Sequence, residues 1–327
     1  MRAASYSRTG PAREVLTVEN LPTPAPAAGE VRVKLSWSGV NPSDVKSRAG
    51  LRATGMPFPR VIPHSDGAGV IDEVGEGVDR ARIAERVWTW NAAWARAYGT
   101  AAEYVVLPSE QAVRLPGNVD LAAGACLGIP ALTAYHSVMV DGGVEGKNVL
   151  VTGGAGAVGH YAVQLARLKG AKRVVATVST PEKAELARSA GAVTVNYKME
   201  DVVARCNDLT EGELFDRIIE VDLSANVEAD TTVIRQGGNI VVYGSNALQI
   251  QIPFVPLILG DVRLHFFIVF KLGKRERDEA THDLTSLLQA GALSHNIAHR
   301  MPLSRIAAAH DLIEKGGASG NVVLSVD

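Results

Sequence analysis

Val149-Leu150-Val151-Thr152-Gly153-Gly154-Ala155-Gly156-Ala157-Val158-Gly159 runs from an apolar stretch, through a glycine cluster, into a helix-forming one. Residues 148–152 read as a buried strand and residues 158–168 as a helix. Between them Gly154, Gly156 and Gly159 fit G-x-G-x-x-G. The first glycine permits a tight turn, the second lets backbone approach a pyrophosphate, and the third lets helix pack close to strand. The helix start then turns its N–H groups and positive dipole end toward the phosphates. Glycines alone would fit a bare turn; the strand before and the helix after favour a nucleotide.

Working outward, residues 173–178 give a second apolar strand, 181–189 a helix and 193–196 a third strand. Residues 215–221 and 239–243 are further strands with a helical stretch between them. This alternation is the pattern of a doubly wound parallel sheet. Before residue 118 the chain reads differently. The N-terminus reads as an opening strand and hairpin, and Leu21-Pro22-Thr23-Pro24-Ala25-Pro26 as a stiff connection. Residues 31–35, 67–74, 86–89 and 102–107 are short strands separated by turn residues, and 121–125 and 131–138 are helix-prone. After Pro256 come an apolar run at 262–270, a solvated helix start at 271–279, helices to residue 290 and over 303–314, and a strand at 321–326.

The end of the second strand separates NAD from NADP. An acid there would bond a ribose 2′-hydroxyl and repel a 2′-phosphate. Twenty residues beyond Gly159 stands Ser179, in Val178-Ser179-Thr180-Pro181-Glu182-Lys183. Ser179 and Thr180 offer hydroxyls and Lys183 a cation; Glu182 falls past the strand end. NADPH is the expected cofactor.

Composition narrows the class. Hydrophobic residues make up 46% and charged residues 21% of 327, ordinary for a two-domain globular chain. A net charge of −2 predicts neither a nucleic-acid partner nor an anionic membrane. No run reaches membrane-spanning length, and a cytoplasmic location is expected. Cys126 and Cys206 stand far apart, without a CxxC, and read as small buried side chains.

The chain resembles the zinc-free, zeta-crystallin-like quinone oxidoreductases of the medium-chain dehydrogenase/reductase superfamily. The resemblance rests on Gly39-Val40-Asn41-Pro42-Ser43-Asp44, Pro63-His64-Ser65-Asp66-Gly67-Ala68-Gly69-Val70, Val74-Gly75-Glu76-Gly77-Val78, Gly128-Ile129-Pro130-Ala131-Leu132-Thr133-Ala134-Tyr135, the glycine loop and Ser224-Ala225-Asn226-Val227. It implies an α/β fold: a Rossmann NADP-binding domain over residues 123–264, and a β-rich GroES-like catalytic domain from residues 1–122 and 265–327. It also implies an active-site cleft and a homodimer or homotetramer. By resemblance Asn41 faces the nicotinamide and the substrate, and Thr133 lies near the nicotinamide ribose. Ala155, Gly156, Ala157 and Val158 match the pyrophosphate loop. Ser179, Lys183 and Tyr197 match positions around the 2′-phosphate and adenine. Asn226, Gly244, Ser245 and Asn246 match the bordering loops, and Phe270 lies where the last nucleotide-domain strand meets the carboxamide. Asn321 stands where relatives often carry lysine.

Zinc-dependent relatives need three sulfur or imidazole ligands. Those positions are Asn41, Ser65 and Ile129 here, so no metal is expected. His64 stands where the family normally has glycine and reads as a hydrogen-bonding or packing residue. Without zinc, quinones and activated enones are the suitable small-molecule substrates, because conjugation spreads the developing negative charge. Asn41 would donate an amide hydrogen to the accepting carbonyl. Asp44 and Arg48, four residues apart, read as an ion pair.

Three of the four tryptophans fall in residues 88–98, which suits either a packed loop or a wall for a planar substrate. Relatives often carry a tyrosine in the loop after Asn-Pro; residues 49–56 contain no aromatic, which leaves 2-alkenals and other enones as alternative substrates. A non-catalytic, crystallin-like NADPH-binding protein is the rival class.

Overall fold

The computed structural model describes residues 1–51 and 55–326. The chain divides into two compact units, Met1–Pro130 with Thr281–Asp327, and Ala131–Ala280. The first unit opens with the antiparallel pair β1 (Arg2–Ser5) and β2 (Thr17–Asn20). It continues with β3 (Glu30–Val40), β4 (Asp66–Val74), β5 (Arg86–Thr89), β6 (Tyr104–Pro108) and β7 (Ala112–Arg114). The second unit holds β8 (Asn148–Val151), β9 (Arg173–Val178), β10 (Val193–Asn196), β11 (Phe215–Glu220), β12 (Ile234–Val242) and β13 (Arg263–Phe266). The tail returns β14 (Ile297–Pro302) and β15 (Asn321–Ser325) to the first unit.

In the first unit the strand order is β14-β15-β3-β4-β5-β7, with β6 also on β3. Every pairing in it is antiparallel except β14 with β15. Along β3, Val31, Val33 and Leu35 are buried while Lys34 faces solvent, the period-two pattern of a half-buried strand. Those side chains join Ile71, Val87, Val105, Leu107, Val322 and Leu324 in one core. β14 lies at the sheet edge and carries Arg300 and Pro302. Edge strands tolerate such residues, and the apolar alternation that would announce a strand is missing from the sequence.

The second unit is a parallel sheet in the order β10-β9-β8-β11-β12-β13. Asn148–Val151 is buried on both faces, as a central strand between helix layers must be. The order reverses direction between β8 and β11, and in such sheets ligands gather at the carboxyl ends of the strands beside the reversal.

The unit boundaries fall at 130/131 and 280/281 rather than at the expected 122/123 and 264/265. The helix Leu121–Gly124 packs on β3, β4 and β5, so it stays with the antiparallel sheet. β13 pairs in parallel with β12 through Val242↔Phe266, which carries the second unit past residue 264. The apolar run at 262–270 therefore splits: β13 ends at Phe266, and the tight turn Val269–Lys271 buries Val269 and Phe270. Among the described residues no helix is long and apolar enough to cross a membrane. Of the loop at 49–56, residues 52–54 lie outside the described residues.

Candidate active site

The glycine cluster joins β8 to the helix Ala157–Leu168. Gly153 carries the left-handed turn, at φ 67°, so the turn falls one residue before the first glycine of the motif. Gly154 allows close packing instead: a Cβ on it would stand 2.4 Å from the Ala176 Cβ on β9. A Cβ on Gly159 would stand 2.2 Å from the Gly153 carbonyl oxygen, which fits its expected close-packing role. Gly156 occupies the N-cap of the helix. The first-turn N–H groups of Ala157, Val158 and Gly159 have no intrahelical carbonyl to bond, which makes the loop a ready anion cradle. Thr133 is buried on the helix Leu132–Met139, which packs against this same helix.

The neighbouring strand ends supply the other candidates in this unit. Past β9, Lys183 Nζ donates to Ser179 Oγ at 3.1 Å, and Thr180 caps the helix Pro181–Ser189 by accepting from Lys183 N at 3.3 Å. Tyr197 follows β10, half exposed, with its N–H on the Val178 carbonyl at 3.1 Å. Past β11, Asn226 Nδ2 donates to Glu220 Oε1 at 3.0 Å. Past β12, a Cβ on Gly244 would stand 2.2 Å from the Val221 carbonyl oxygen, so these two loops touch. Ser245 Oγ donates to the Ala247 carbonyl at 2.9 Å. Asn246 reaches Asp222 through its backbone N–H at 2.9 Å and Nδ2 at 2.6 Å. Phe270 is buried just past β13.

Glu220 and Asp230 form a buried carboxyl pair that the sequence reading missed. Burial raises both, Glu220 above its ordinary value and Asp230 to about 9, and for Asp230 the Glu220 charge adds to it. Glu220 Oε1 accepts from Asn226 Nδ2 and from the Asp222 N–H, so it props the start of the helix Leu223–Val233, where Asn226 stands on a helix rather than on the expected loop.

Asn41 lies in the first unit, 4% exposed, at the N-cap of the helix Pro42–Arg48. Its backbone N–H donates to Asp44 Oδ2 at 2.8 Å, and its Nδ2 donates to Asp66 Oδ2 at 2.8 Å. Burial, then the Asp44 charge, holds Asp66 well above the usual carboxylate range. Arg48, expected to pair with Asp44, reaches the Gly10 carbonyl at 2.6 Å and Glu314 at 2.9 Å. Asn321 is engaged elsewhere in this unit, its Nδ2 on the Asn296 carbonyl at 3.0 Å.

Beside Asp66 runs a fully buried chain of side chains. Thr100 Oγ1 donates to the Asp66 carbonyl at 2.5 Å, which can accept and never donate. Thr100 Oγ1 therefore accepts from Ser38 Oγ at 2.9 Å, and Ser38 Oγ accepts from His64 Nδ1 at 2.9 Å. His64 Nε2 is then an acceptor, and His310 Nε2, 2.9 Å away, is its donor. Both tautomers follow from the single carbonyl at the end of the chain. His310 Nδ1 is left as a buried lone pair without a hydrogen-bond partner. Burial, then His310, pushes His64 well down; burial, then Arg48, pushes His310 down to about 3. His64 sits at φ 76°, a backbone region that favours glycine, which explains the glycine usual at this position.

Of the three positions that hold zinc in metal-dependent relatives, Asn41 commits its amide to Asp66 and Ile129 has no ligating side-chain atom. Among the described residues no group of three or more His, Cys, Asp or Glu is placed to hold a metal ion. Trp88 and Trp90 are buried in the packed first unit, while Trp94 and Tyr98 are exposed at 38% and 46%. The wall reading of the tryptophan segment therefore narrows to those two. Cys126 and Cys206 are both free and buried.

A zinc-binding dehydrogenase family model matches residues 157–287, and an alcohol dehydrogenase GroES-like domain model matches residues 27–117. The quinone oxidoreductase of Lama guanicoe is 31% identical, over 99% of this chain and 97% of its own. A 2-haloacrylate reductase from a Burkholderia species is 29% identical, over 99% of this chain and 98% of its own. Among solved structures, an NAD-dependent alcohol dehydrogenase superposes with a TM-score of 0.92 at 29% identity, over 100% of both chains. A mycobacterial protein complexed with NADPH superposes with a TM-score of 0.87 at 28% identity, over 99% of this chain and 100% of that one. The two domain models, together with 31% identity to a quinone oxidoreductase over 99% of the chain, make it an oxidoreductase that belongs to the zeta-crystallin-like quinone oxidoreductase family of the medium-chain dehydrogenases/reductases.

Proposed function

We propose that the protein reduces quinones with NADPH, by hydride transfer and without zinc. The observation that carries the cofactor choice is the tip of β9, where the Lys183 ammonium lies 3.1 Å from the Ser179 hydroxyl and no acid occupies the strand end. A cation and a hydroxyl suit a 2′-phosphate; an acid would repel it. The exposed Glu182 carboxylate is drawn to the Thr180 hydroxyl. When bound, NADPH supplies the hydride, and the chain supplies orientation and electrostatics.

The loop from Gly154 to Gly159 borders the pyrophosphate, and the N–H groups of Ala157, Val158 and Gly159 at the helix start hold it, while those of Gly154 and Gly156 stay on the Thr177 and Gly153 carbonyls. Ser179, Lys183 and Tyr197 hold the 2′-phosphate and adenine. Thr133, Asn226, Gly244, Ser245, Asn246 and Phe270 border the rest of the cofactor. Asn41 gives one amide hydrogen to Asp66; a primary amide has two, and the second is offered to the substrate carbonyl.

Reduction of 2-alkenals and related enones is a second reading that uses the same residues. The loop at 49–56 without an aromatic favours it, as does similarity to a 2-haloacrylate reductase. The protein works in the cytoplasm as a homodimer or homotetramer. In support, β13 is an end strand of its sheet, and Leu248, Phe254, Val255, Ile258, Leu259 and Phe266 leave apolar surface exposed on and before it.

The experiment is NADPH oxidation with 1,4-benzoquinone or 9,10-phenanthrenequinone, repeated with NADH, after chelation, and with an enone panel. Fast NADPH consumption, poor NADH use and no chelator effect are expected. Turnover confined to enones selects the second reading. NADPH binding without turnover on any acceptor moves the protein to the non-catalytic, crystallin-like class.

A further inference from the structure

Two carboxylates clamp Asn41, Asp44 on its backbone and Asp66 on its side chain. Asp66 Oδ2 also takes the Ile129 N–H, at 3.0 Å, from the wide turn Leu127–Ala131. Since Oδ2 receives two N–H groups, it is an acceptor whatever the charge of the carboxyl, and any proton sits on Oδ1. Oδ1 is buried without a hydrogen-bond partner. It lies against Gly128, where a Cβ would stand 2.3 Å from Oδ1 and 2.5 Å from the Thr89 carbonyl oxygen. The carboxyl is thus fixed from two directions, by donors on one oxygen and by tight packing at the other.

An asparagine carboxamide turned half a revolution exchanges its oxygen for its NH2 at almost no change in shape. Against Asp66 that exchange would bring two lone pairs together in a buried place, where an unmade hydrogen bond is most costly. We propose that Asp66 is a positioning residue for Asn41: its Oδ2 holds the carboxamide with Nδ2 inward, so that one N–H is spent on Asp66 and the second is presented to the reacting carbonyl. This rests on the reading of Asn41 as the donor to substrate.

The test is a double-mutant cycle on kcat and KM for NADPH-dependent 1,4-benzoquinone reduction, with melting curves and NADPH titration checking each variant. Asn41→Ala is expected to lower kcat/KM about 100-fold or more, in the range of a lost transition-state donor. Asp66→Leu, similar in shape but without an acceptor, should fall as far. The double variant should be no worse than Asn41→Ala alone, because residues acting through one another are not additive. Asp66→Asn keeps an acceptor oxygen and should stay within about threefold of the unaltered protein.

Losses that multiply in the double variant would give Asp66 a separate structural part and overturn the proposal. So would Asp66→Asn falling as far as Asp66→Leu. A crippled Asn41→Ala beside an active Asp66→Leu sinks the positioning role alone; a fully active Asn41→Ala sinks the donor reading and the positioning role with it. Should Asp66→Leu not fold, Asp66→Ala takes its place in the same cycle.

Discussion

The glycine loop and the Asn41 pocket both hold polar groups in place, with opposite materials. The first uses backbone N–H groups at a helix start, with a serine and a lysine at an open strand tip. The second uses buried side chains, each oriented by the next, with the Asp66 carboxyl and two neutral imidazoles pushed from their ordinary protonation ranges. An open tip can be retuned by one charge. A buried chain keeps its orientation through mutual satisfaction, so single changes in it should be felt as stability and pH dependence.

The sharpest way to break this contrast is at the open tip. Ser179→Asp places an acid where the 2′-phosphate is expected, and the ratio of kcat/KM for NADPH over NADH should fall about 100-fold or more, since like charges brought together cost several kcal/mol. An unchanged ratio would mean the phosphate is read elsewhere. Lys183→Ala removes a charge-assisted contact; KM for NADPH should rise about tenfold with NADH use nearly unaltered.

The buried titratable groups of both units predict smaller shifts in melting temperature. Asp230 is held above the usual carboxylate range, so the folded state keeps a proton that the unfolded chain releases, and stability declines as pH rises above that range. Asp230→Asn should therefore raise the melting temperature at pH 8 by several degrees, with less gain at pH 5.

His310 has the opposite sign. With a folded pKa near 3 against an ordinary 6.5, the unfolded chain takes up a proton that the folded one refuses. Stability is complete above pH 6.5 and drains away below it. His310→Gln keeps an N–H for His64 and cannot titrate, so its melting temperature should drop by a few degrees less between pH 7 and pH 5. Equal slopes would disconnect the imidazole pair from acid stability.

The same contrast explains how much the sequence revealed. The glycine loop, Ser179, Lys183 and Tyr197 fall within one strand–helix succession, where period and turn residues speak for themselves. The Asn41 surroundings gather residues 38, 66, 100, 129 and 310 from separate elements, and no local pattern ties His64 to a partner 246 positions away. A signal did exist. His310 stands one turn after Ile306 and next to Ala309, on the buried face of the helix Ile306–Glu314, and an imidazole on an apolar stripe calls for a partner. Asp66, at the start of a strand rich in small residues, is the same kind of clue. The boundary expected at 122/123 went astray because Leu121–Gly124 has helical composition yet packs on the antiparallel sheet. Composition announces a helix without saying which layer it covers.

The two units also differ in how synthesis delivers them. Ala131–Ala280 is one unbroken stretch, while its companion needs residues from both ends of the chain. A ribosome releases the N-terminal end first. The nucleotide-binding sheet can close as soon as its last strand emerges. β3, by contrast, waits for β15 to pair Val322 with Val40, and His64 waits for His310. Until the tail arrives, the growing chain carries an open sheet edge and an unanswered imidazole, which makes the last 47 residues, Thr281–Asp327, the latch on the whole first unit.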